Sequence, residues 1–204
     1  MKAFIATPLI DGRADREFIN GLLASQGLYH AWACVEGQSH ICVARDTLAG
    51  QFMATDCDRL IFIDGDIGFS RDDLARLLRA DRSLVSGLYP AKAPGMAWTF
   101  RTDSTAPATP VTPSGLTPVR YAPCGFLSIE RRVFDDLLAG GSCPGYGLHG
   151  QKLHHFFQSG VVDGVFLSED YYFCELARRA GHPPFIDPAI RLRHIGRNVY
   201  QRDT

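Results

Sequence analysis

The 204-residue sequence lacks the features that would assign it to several specialised classes of protein. Its formal net charge is only -1, which gives no electrostatic basis for tight, nonspecific binding to nucleic acid, although local basic clusters stay open. No apolar run is long enough to span a membrane. There is no internal repeat and no sign of a second domain, so we expect one domain, residues 1–204, with a substantial core.

Cysteine pairs are also lacking. The six cysteines show neither a CxxC pair nor the spacing of a zinc site; they are Cys34, Cys42, Cys57, Cys124, Cys143 and Cys174. The apolar start, residues 2–10, is short and interrupted by Pro8, so it predicts a first strand and not a secretion signal. We therefore expect reduced thiols in a cytoplasmic protein.

Apolar segments with strand and helix periods alternate over residues 1–92. Strands are predicted over residues 3–6, 30–35, 60–63 and 83–88, and helices over 15–26, 41–55 and from Ser70 onward. At that last helix, Ser70 and Asp73 have the spacing of a capping box. This alternation is typical of a nucleotide-binding α/β half.

The second half, residues 93–204, begins differently. Residues 93–118 are rich in proline and predict a long loop that serves an acceptor or acts as a lid; Trp98 and Phe100 would stack on a sugar or pin the loop to the core. Further strands are predicted over 119–122, 126–129 and 190–196, a helix over 131–138 and a glycine-rich loop over 140–150. Residues 165–170 predict a strand that runs into a helix and lies beside the strand of residues 60–63.

Asp64-Gly65-Asp66 follows the apolar run 60–63, which predicts a strand buried on both faces. In an extended segment the two carboxylates project to the same side, and Gly65 leaves room for a ligand to approach the backbone. Ligands of α/β sheets gather at the carboxyl ends of strands, and Mg²⁺ or Mn²⁺ prefers oxygen ligands. The alternative is a solvated turn, since aspartate and glycine both favour turns.

Three other positions are individually ambiguous. Glu169 and Asp170 begin a helix, where acidic residues favour the helix dipole. His194 shares strand periodicity with Ile190 and Leu192 and is expected to point inward, as core histidines do. Gly125, after Cys124, fits a bulge or tight turn.

Taken in order, these motifs resemble the glycosyltransferases of the GT-A fold. The residues that carry the resemblance are Asp64-Gly65-Asp66, Cys124-Gly125, Ser168-Glu169-Asp170 and His194, with support from residues 87–92 and 187–196. The resemblance covers most of the chain and is weak across 93–118 and 140–159. It implies an α/β fold, a single GT-A (Rossmann-like) domain with a mixed, mostly parallel central sheet flanked by helices, in which residues 93–204 form the acceptor side.

The resemblance also implies a chemistry. A nucleotide-diphosphate sugar, with a UDP-sugar as the default, would be bound through Mn²⁺ or Mg²⁺ held by Asp64, Asp66 and His194. Asp170 would deprotonate the acceptor hydroxyl with inversion, and Glu169 would orient the acceptor, although the two roles could be exchanged. The remaining donor-binding positions would be Thr7, Pro8, Arg45, Gly65 and Gly125.

Two other functions compete with this one. Haloacid dehalogenase-like phosphohydrolases also place Asp-x-Asp after a buried strand, with the first aspartate, here Asp64, as nucleophile; the following Ile67-Gly68-Phe69 does not match their usual continuation. A noncatalytic nucleotide-sugar-binding module would not need the candidate base. The sequence leaves open the sugar, the nucleobase, the oligomeric state and whether transfer inverts or retains, since a retaining enzyme can carry a similar Glu-Asp pair. It also leaves open the hydroxyl acceptor, which could be a nucleic acid.

Overall fold

Strands and helices alternate along the chain in a computed structural model that describes residues 1–93, 97–102, 115–196 and 199–201. In these ranges the helices are α1 (Arg16–Ala24), α2 (Ile41–Met53), α3 (Arg71–Leu78), α4 (Arg131–Ala139) and α5 (Glu169–Arg179). The strands are β1 (Ala3–Leu9), β2 (Ala31–Glu36), β3 (Arg59–Ile63), β4 (Ile67–Gly68), β5 (Leu84–Leu88), β6 (Thr117–Pro118), β7 (Phe126–Glu130), β8 (Gly145–Leu148), β9 (Gln151–His154), β10 (Gly160–Val162), β11 (Val165–Leu167), β12 (Phe185–Arg191), β13 (Arg193–Ile195) and β14 (Val199–Tyr200).

A mixed seven-stranded sheet forms the centre of this described part, in the order β2-β1-β3-β7-β5-β12-β6. Five of its strands run in one direction, and β7 and β6 run against them. The predicted mixed, mostly parallel α/β sheet is therefore confirmed. Both halves of the sequence contribute strands to it, and the assignment of residues 1–92 to the nucleotide and 93–204 to the acceptor stays a prediction.

Helices cover both faces of the sheet, and β3 shows why its sequence is apolar throughout. Leu60 and Phe62 pack into a cluster with α2, α4 and α5, whereas Ile61 and Ile63 pack into a second cluster with α1 and α3. Successive strand residues face opposite sides, so a strand between two helical layers needs an apolar residue at every position. This burial fixes the point at which Asp64 emerges.

Helix starts agree closely with the sequence. Asp15 caps α1 by accepting a hydrogen bond from the backbone N of Glu17, and Ser70 and Asp73 form the predicted capping box of α3. None of the helices in the described ranges is long and apolar enough to cross a membrane. All six cysteines are free thiols.

Two segments of the second half have a different secondary structure from the one predicted. Residues 119–122 form no strand ladder, and the strand in this region is β6, which ends just before them. Val119 and Tyr121 are buried because they pack in the core. The predicted loop 140–150 contains β8, which pairs with β9 across a turn at His149 and Gly150, whose φ values are 47° and 78°. Two consecutive positive φ values are the geometry of a tight hairpin turn, usually built by Asn-Gly.

Two other predictions fail in their pairing. β11 pairs with β10 in a separate hairpin, whereas β3 lies between β1 and β7, so the strand before Asp170 does not run beside β3. The predicted strand 190–196 is divided between β12 and β13, and β13 belongs to a small sheet with β4 and β14. His194 therefore does not continue the alternation of Ile190.

The predicted loop 93–118 falls largely on residues 94–96 and 103–114, which lie outside the described residues. Its two aromatic residues, Trp98 and Phe100, are partly buried and pack against the cluster that contains α2, α4 and α5. This packing agrees with a role in pinning the segment to the core. A role in acceptor binding stays a prediction.

Candidate active site

The turn after β3 holds Asp64 and Asp66 at the edge of the sheet. The backbone N of Ile67 donates to the carbonyl of Asp64 at 3.0 Å, and the carbonyl of Gly65 accepts from the N of Asp15 at 2.6 Å. A Cβ at Gly65 would overlap the side chain of Leu9, so this position requires glycine, and the predicted close approach of a ligand to its backbone stays a prediction. The turn is thus held in place by the start of α1.

A cavity of about 600 Å³ opens beside this turn. It brings together four of the predicted site residues, Pro8, Asp64, Gly65 and Asp66, with the segment that connects β1 to α1; the other lining residues are Leu9, Ile10, Asp11, Arg13, Ala14, Asp15, Gln38 and Ile41. Its size is suited to a small-molecule ligand. Thr7 lies below it, fully buried, and accepts a hydrogen bond from the Trp32 indole at 3.0 Å.

Asp66 receives contacts from two distant parts of the chain. Lys92 Nζ lies 2.5 Å from Asp66 Oδ2, and His194 Nε2 lies 3.7 Å from Asp66 Oδ1. The pairing of β4 with β13 brings the histidine there, because the N of Ile195 donates to the carbonyl of Asp66 at 2.8 Å. Asp66 Oδ1 is buried and has no hydrogen-bond partner among the described residues.

The imidazole of His194 is fixed in orientation. Its Nδ1 lies 2.9 Å from the carbonyl oxygen of Pro90, which can only accept, so Nδ1 carries the hydrogen and Nε2 faces Asp66. Burial lowers the pKa of His194 below its ordinary value, which favours the neutral ring that binds metals. The ring also packs edge-on against Tyr89, with ring centres 5.1 Å apart.

Arg45 joins two of the predicted acidic residues. Its side chain is only 4% exposed; its Nη1 lies 3.2 Å from Asp64 Oδ1 and its Nε 3.3 Å from Glu169 Oε1. Burial opposes the charge on Arg45, but the neighbouring acidic groups, Asp64 foremost, raise its pKa above the ordinary value. Arg45 thus orients two carboxylates from inside the protein; its predicted contact with the nucleotide stays a prediction.

Asp170 differs from Asp64 and Glu169 in that no arginine of the described residues is paired with it. It accepts hydrogen bonds from the Ser168 hydroxyl and, at 2.8 Å, from the backbone N of Tyr171. Burial, followed by the nearby charge of Glu169, raises the pKa of Asp170 to about 6. A carboxyl group with a pKa near 6 can exchange protons close to neutral pH.

Tyr89 and Gly125 link the two acidic turns. The backbone N of Gly125 donates to the Tyr89 hydroxyl at 2.7 Å, and the carbonyl of Gly125 accepts from the N of Asp64 at 3.0 Å. A Cβ at Gly125 would come within 2.8 Å of the tyrosine ring, so only glycine allows this approach. Burial, followed by the charges of Asp64 and Asp170, raises the pKa of Tyr89 well above its ordinary value, so its hydroxyl stays protonated.

Sequence reasoning gave no role to Lys92, Tyr89 or Asp46, the last of which follows Arg45 on α2. For Lys92 and Tyr89 a signal existed, because residues 89–92 follow the buried strand β5 as Asp64 follows β3. Parallel strands end at the same edge of a sheet, so both turns belong to one site. Asp46 had no such signal, since its partners lie more than 90 residues away.

The predicted metal ligands fit a divalent cation in chemical type. Asp66 carries a buried Oδ1 without a hydrogen-bond partner among the described residues, and His194 Nε2 faces it, whereas Asp64 Oδ1 lies in an ion pair with Arg45 Nη1 at 3.2 Å. Carboxylate oxygens with one imidazole suit Mn²⁺ or Mg²⁺. In the described ranges, however, no group of three or more His, Cys, Asp or Glu side chains already stands close enough to hold a metal ion.

Replacing Arg45 by methionine should destabilise the fold by about 3 kcal/mol at pH 8, because it leaves two partly buried carboxylates, of Asp64 and Glu169, without their cation. The loss should shrink toward pH 5, since Asp64, whose pKa burial already raises, can then protonate. Urea unfolding at both pH values measures this. Lys92→Met is the matched control: its ion pair is 30% and 45% exposed on its two sides, so its loss should cost about 1 kcal/mol or less. Equal losses in the two variants would contradict the assignment of Arg45.

Comparisons with known proteins identify the fold. No protein-family model and no curated protein matches the sequence. The crystal structure of A197 from STIV has a TM-score of 0.62 and 14% identity, and the match covers 100% of this chain and 95% of that one. The structure of GalNAc-T7 with UDP, GalNAc and Mn²⁺ has a TM-score of 0.57 and 13% identity, and the match covers 99% of this chain but 44% of that one. The chain therefore has a GT-A-like, glycosyltransferase-like fold and spans less than half of the GalNAc-T7 chain.

Proposed function

We propose that the protein is a metal-dependent glycosyltransferase that moves a sugar from a nucleotide-diphosphate sugar, with a UDP-sugar as the default, to an acceptor hydroxyl with inversion. The observation that carries the proposal is the buried Oδ1 of Asp66 at the carboxyl end of β3, on the wall of a large cavity. It has no hydrogen-bond partner in the described part of the chain and lies 3.7 Å from Nε2 of His194. The UDP and Mn²⁺ in the structure of GalNAc-T7, which shares the fold, support the choice of donor and cation.

In this proposal, Asp66, Asp64 and His194 hold the cation, and Lys92 adds a positive charge beside Asp66. A divalent cation bound there supplies Lewis-acid stabilisation of the charge that develops on the departing nucleoside diphosphate. Arg45 keeps Asp64 ionised and in position. The turn that carries these groups is rigid, because β1, α1 and β13 all contact it, and rigidity reduces the cost of reorganisation during the reaction.

Asp170 is the proposed general base. It accepts the proton of the acceptor hydroxyl as that oxygen bonds to the anomeric carbon and the bond from that carbon to the diphosphate breaks. The environment favours Asp170 over Glu169 for this role, because Glu169 is paired with Arg45 whereas the pKa of Asp170 is raised to about 6. Glu169 and Arg45 then act by positioning.

The phosphohydrolase alternative requires Asp64 to attack a phosphorus atom. Both Asp64 oxygens lie 3.2 Å from Arg45 nitrogens, which disfavours a free nucleophile there. The alternative of a noncatalytic binding module leaves the raised pKa of Asp170 without a use.

Incubating the full chain with Mn²⁺ and UDP- or GDP-sugars should release nucleoside diphosphate, slowly with water and faster with a suitable acceptor. Omitting Mn²⁺ and adding EDTA is the control. Release of inorganic phosphate from a simple phosphomonoester would instead support the phosphohydrolase. Nucleotide-sugar binding with no release from any donor would support the binding module.

A further inference from the structure

A second polar cluster lies on the far side of Arg45, around Asp46 of α2. The Asp46 side chain is fully buried and accepts three hydrogen bonds: from the backbone N of Phe157 at 2.9 Å, from the Tyr146 hydroxyl at 2.9 Å and from His155 Nδ1 at 2.8 Å. Because the carboxylate only accepts, the hydrogen of the neutral imidazole lies on Nδ1. Asp46 therefore fixes the tautomer of His155 and leaves Nε2 as an acceptor that receives no hydrogen bond from the residues that the structure describes.

This histidine borders a cavity of about 360 Å³, separate from the one at Asp66. The cavity is lined by Val43, Pro144, Gly145, Tyr146 and His155. The His155 side chain is 38% exposed, and its ring stands edge-on to Tyr146 with centres 5.6 Å apart. The lining thus combines apolar surface and two rings with one oriented hydrogen-bond acceptor, and it contains no Lys, Arg, Asp or Glu.

Such a lining selects a class of ligand. The absence of a charged lining group among the described residues favours a neutral molecule. The rings and aliphatic groups of the cavity lining can pack against C–H-rich faces of a ligand, and Nε2 of His155 can accept a hydrogen bond from a ligand hydroxyl. A neutral sugar ring offers both features at once, a C–H face and hydroxyl donors.

The cluster and the proposed active site meet at two consecutive residues of α2. Arg45 Nε lies 3.3 Å from Glu169 Oε1, and the next residue, Asp46, accepts from His155 Nδ1 at 2.8 Å. The two sites are therefore neighbours along this helix.

We infer that the Asp46–His155–Tyr146 cluster is a binding site for a neutral glycoside, with Nε2 of His155 accepting a hydrogen bond from a sugar hydroxyl. The identification of this glycoside as the acceptor rests on the proposed function. Asp46 acts here as a positioning residue, because it holds the imidazole of His155. Tyr146 positions Asp46 through its hydroxyl and also lines the cavity with its ring.

The test is a titration of the full chain, labelled with ¹⁵N-histidine, with the methyl glycosides of glucose, galactose and mannose, without nucleotide or metal. The Nε2 resonance of His155 should move saturably with at least one of them. His155→Phe, which keeps a ring in the wall, should weaken that affinity about tenfold, the value of one hydrogen bond. His154→Phe is the matched control on the same segment, because His154 packs against Phe156 and is not in the cavity lining; its affinity should equal that of the wild type.

The inference is overturned if no glycoside moves the His155 resonance, or if His155→Phe binds as tightly as the wild type while a melting curve shows it folded. If His155→Phe does not fold, His155→Asn decides: its amide nitrogen can still donate to Asp46, but it has no acceptor in place of Nε2, so unchanged glycoside affinity in this variant would overturn the inference. Glycoside binding at His155 without nucleoside diphosphate release would uphold this site and reject the glycosyltransferase. Diphosphate release without glycoside binding at His155 would do the reverse.

Discussion

Asp66→Ala is expected to reduce sugar transfer by about 10²–10³-fold, because it removes a ligand from the cation that stabilises the leaving diphosphate. The fold should survive this change. Asp66 is 45% exposed and pairs with a partly exposed Lys92, so the loss of that ion pair costs about 1 kcal/mol or less. A large loss of activity with a small loss of stability is the signature of a ligand and not of a structural residue.

The matched control is Asp11→Asn, which removes a carboxylate from the lining of the same cavity. The Asn side chain can still accept the hydrogen bond from the N of Arg13, at 3.1 Å in the wild type, so this loop is retained. Its activity should fall by less than about tenfold, because Asp11 is outside the proposed ligand set.

Cation affinity gives a readout independent of catalysis. Mn²⁺ binding, measured by electron paramagnetic resonance with UDP present, should weaken in Asp66→Ala and be retained in Asp11→Asn. Wild-type transfer should stop in EDTA and return with Mn²⁺ or Mg²⁺. Full activity in chelator, or equal Mn²⁺ affinity in the two variants, would reject the metal site.

The strands and helices of residues 1–92 could be predicted because the pattern of apolar residues in each segment indicates which of its side chains are buried. β3 faces a helical layer on each side, so its apolar run is continuous, and the abrupt change to Asp64 marks the edge of the sheet. The caps at Asp15 and Ser70 are also local, since each side chain satisfies backbone groups within three residues. Such signals need no knowledge of distant partners.

Pairing partners could not be predicted in the same way. The periodicity of residues 165–167 indicates an extended segment but not whether it joins β3 or, as observed, β10. Likewise, glycines suggested a loop over 140–150, although at Gly145 and Gly147 they lie within a strand. The alternation of apolar and polar residues indicates which side of a strand is buried, but it does not determine which strand lies next to it.

The candidate site shows the same difference between local signals and distant contacts. Residue types and positions predicted Asp64, Asp66, His194 and Asp170, but not what surrounds each of them. Arg45 was expected at the nucleotide, which stays a prediction, and its contacts with Asp64 and Glu169 from within the protein were not foreseen. Burial and distant charges set these environments, so the distinction between the paired Glu169 and the unpaired Asp170 required three-dimensional information.

That distinction leads to an expected pH dependence for Asp170. If it is the general base, transfer should rise with pH as Asp170 ionises, with a midpoint near its pKa of about 6, and should reach a plateau above it. Asp170→Asn removes the proton acceptor and should reduce transfer by about 10²–10⁴-fold while leaving UDP affinity in Mn²⁺ nearly unchanged. Measuring both quantities on one preparation separates chemistry from binding.

Stability should change in the opposite direction. The pKa of Asp170 is raised on folding, so its protonated form is favoured in the native state, and the resulting stability is present at low pH and lost as pH rises through about 6. Asp170→Asn, which carries no charge, should therefore be more stable than the wild type by about 3 kcal/mol at pH 8 and nearly equal to it at pH 4. If Asp170 merely favoured the start of α5, the variant would instead lose stability at pH 8 and keep its turnover.

Asp163→Asn, at an exposed hairpin turn where φ is 51°, is the control, because asparagine also accepts positive φ and the change removes the same charge. Urea unfolding at the two pH values, with transfer rates for both variants, distinguishes a base from a helix-terminal charge.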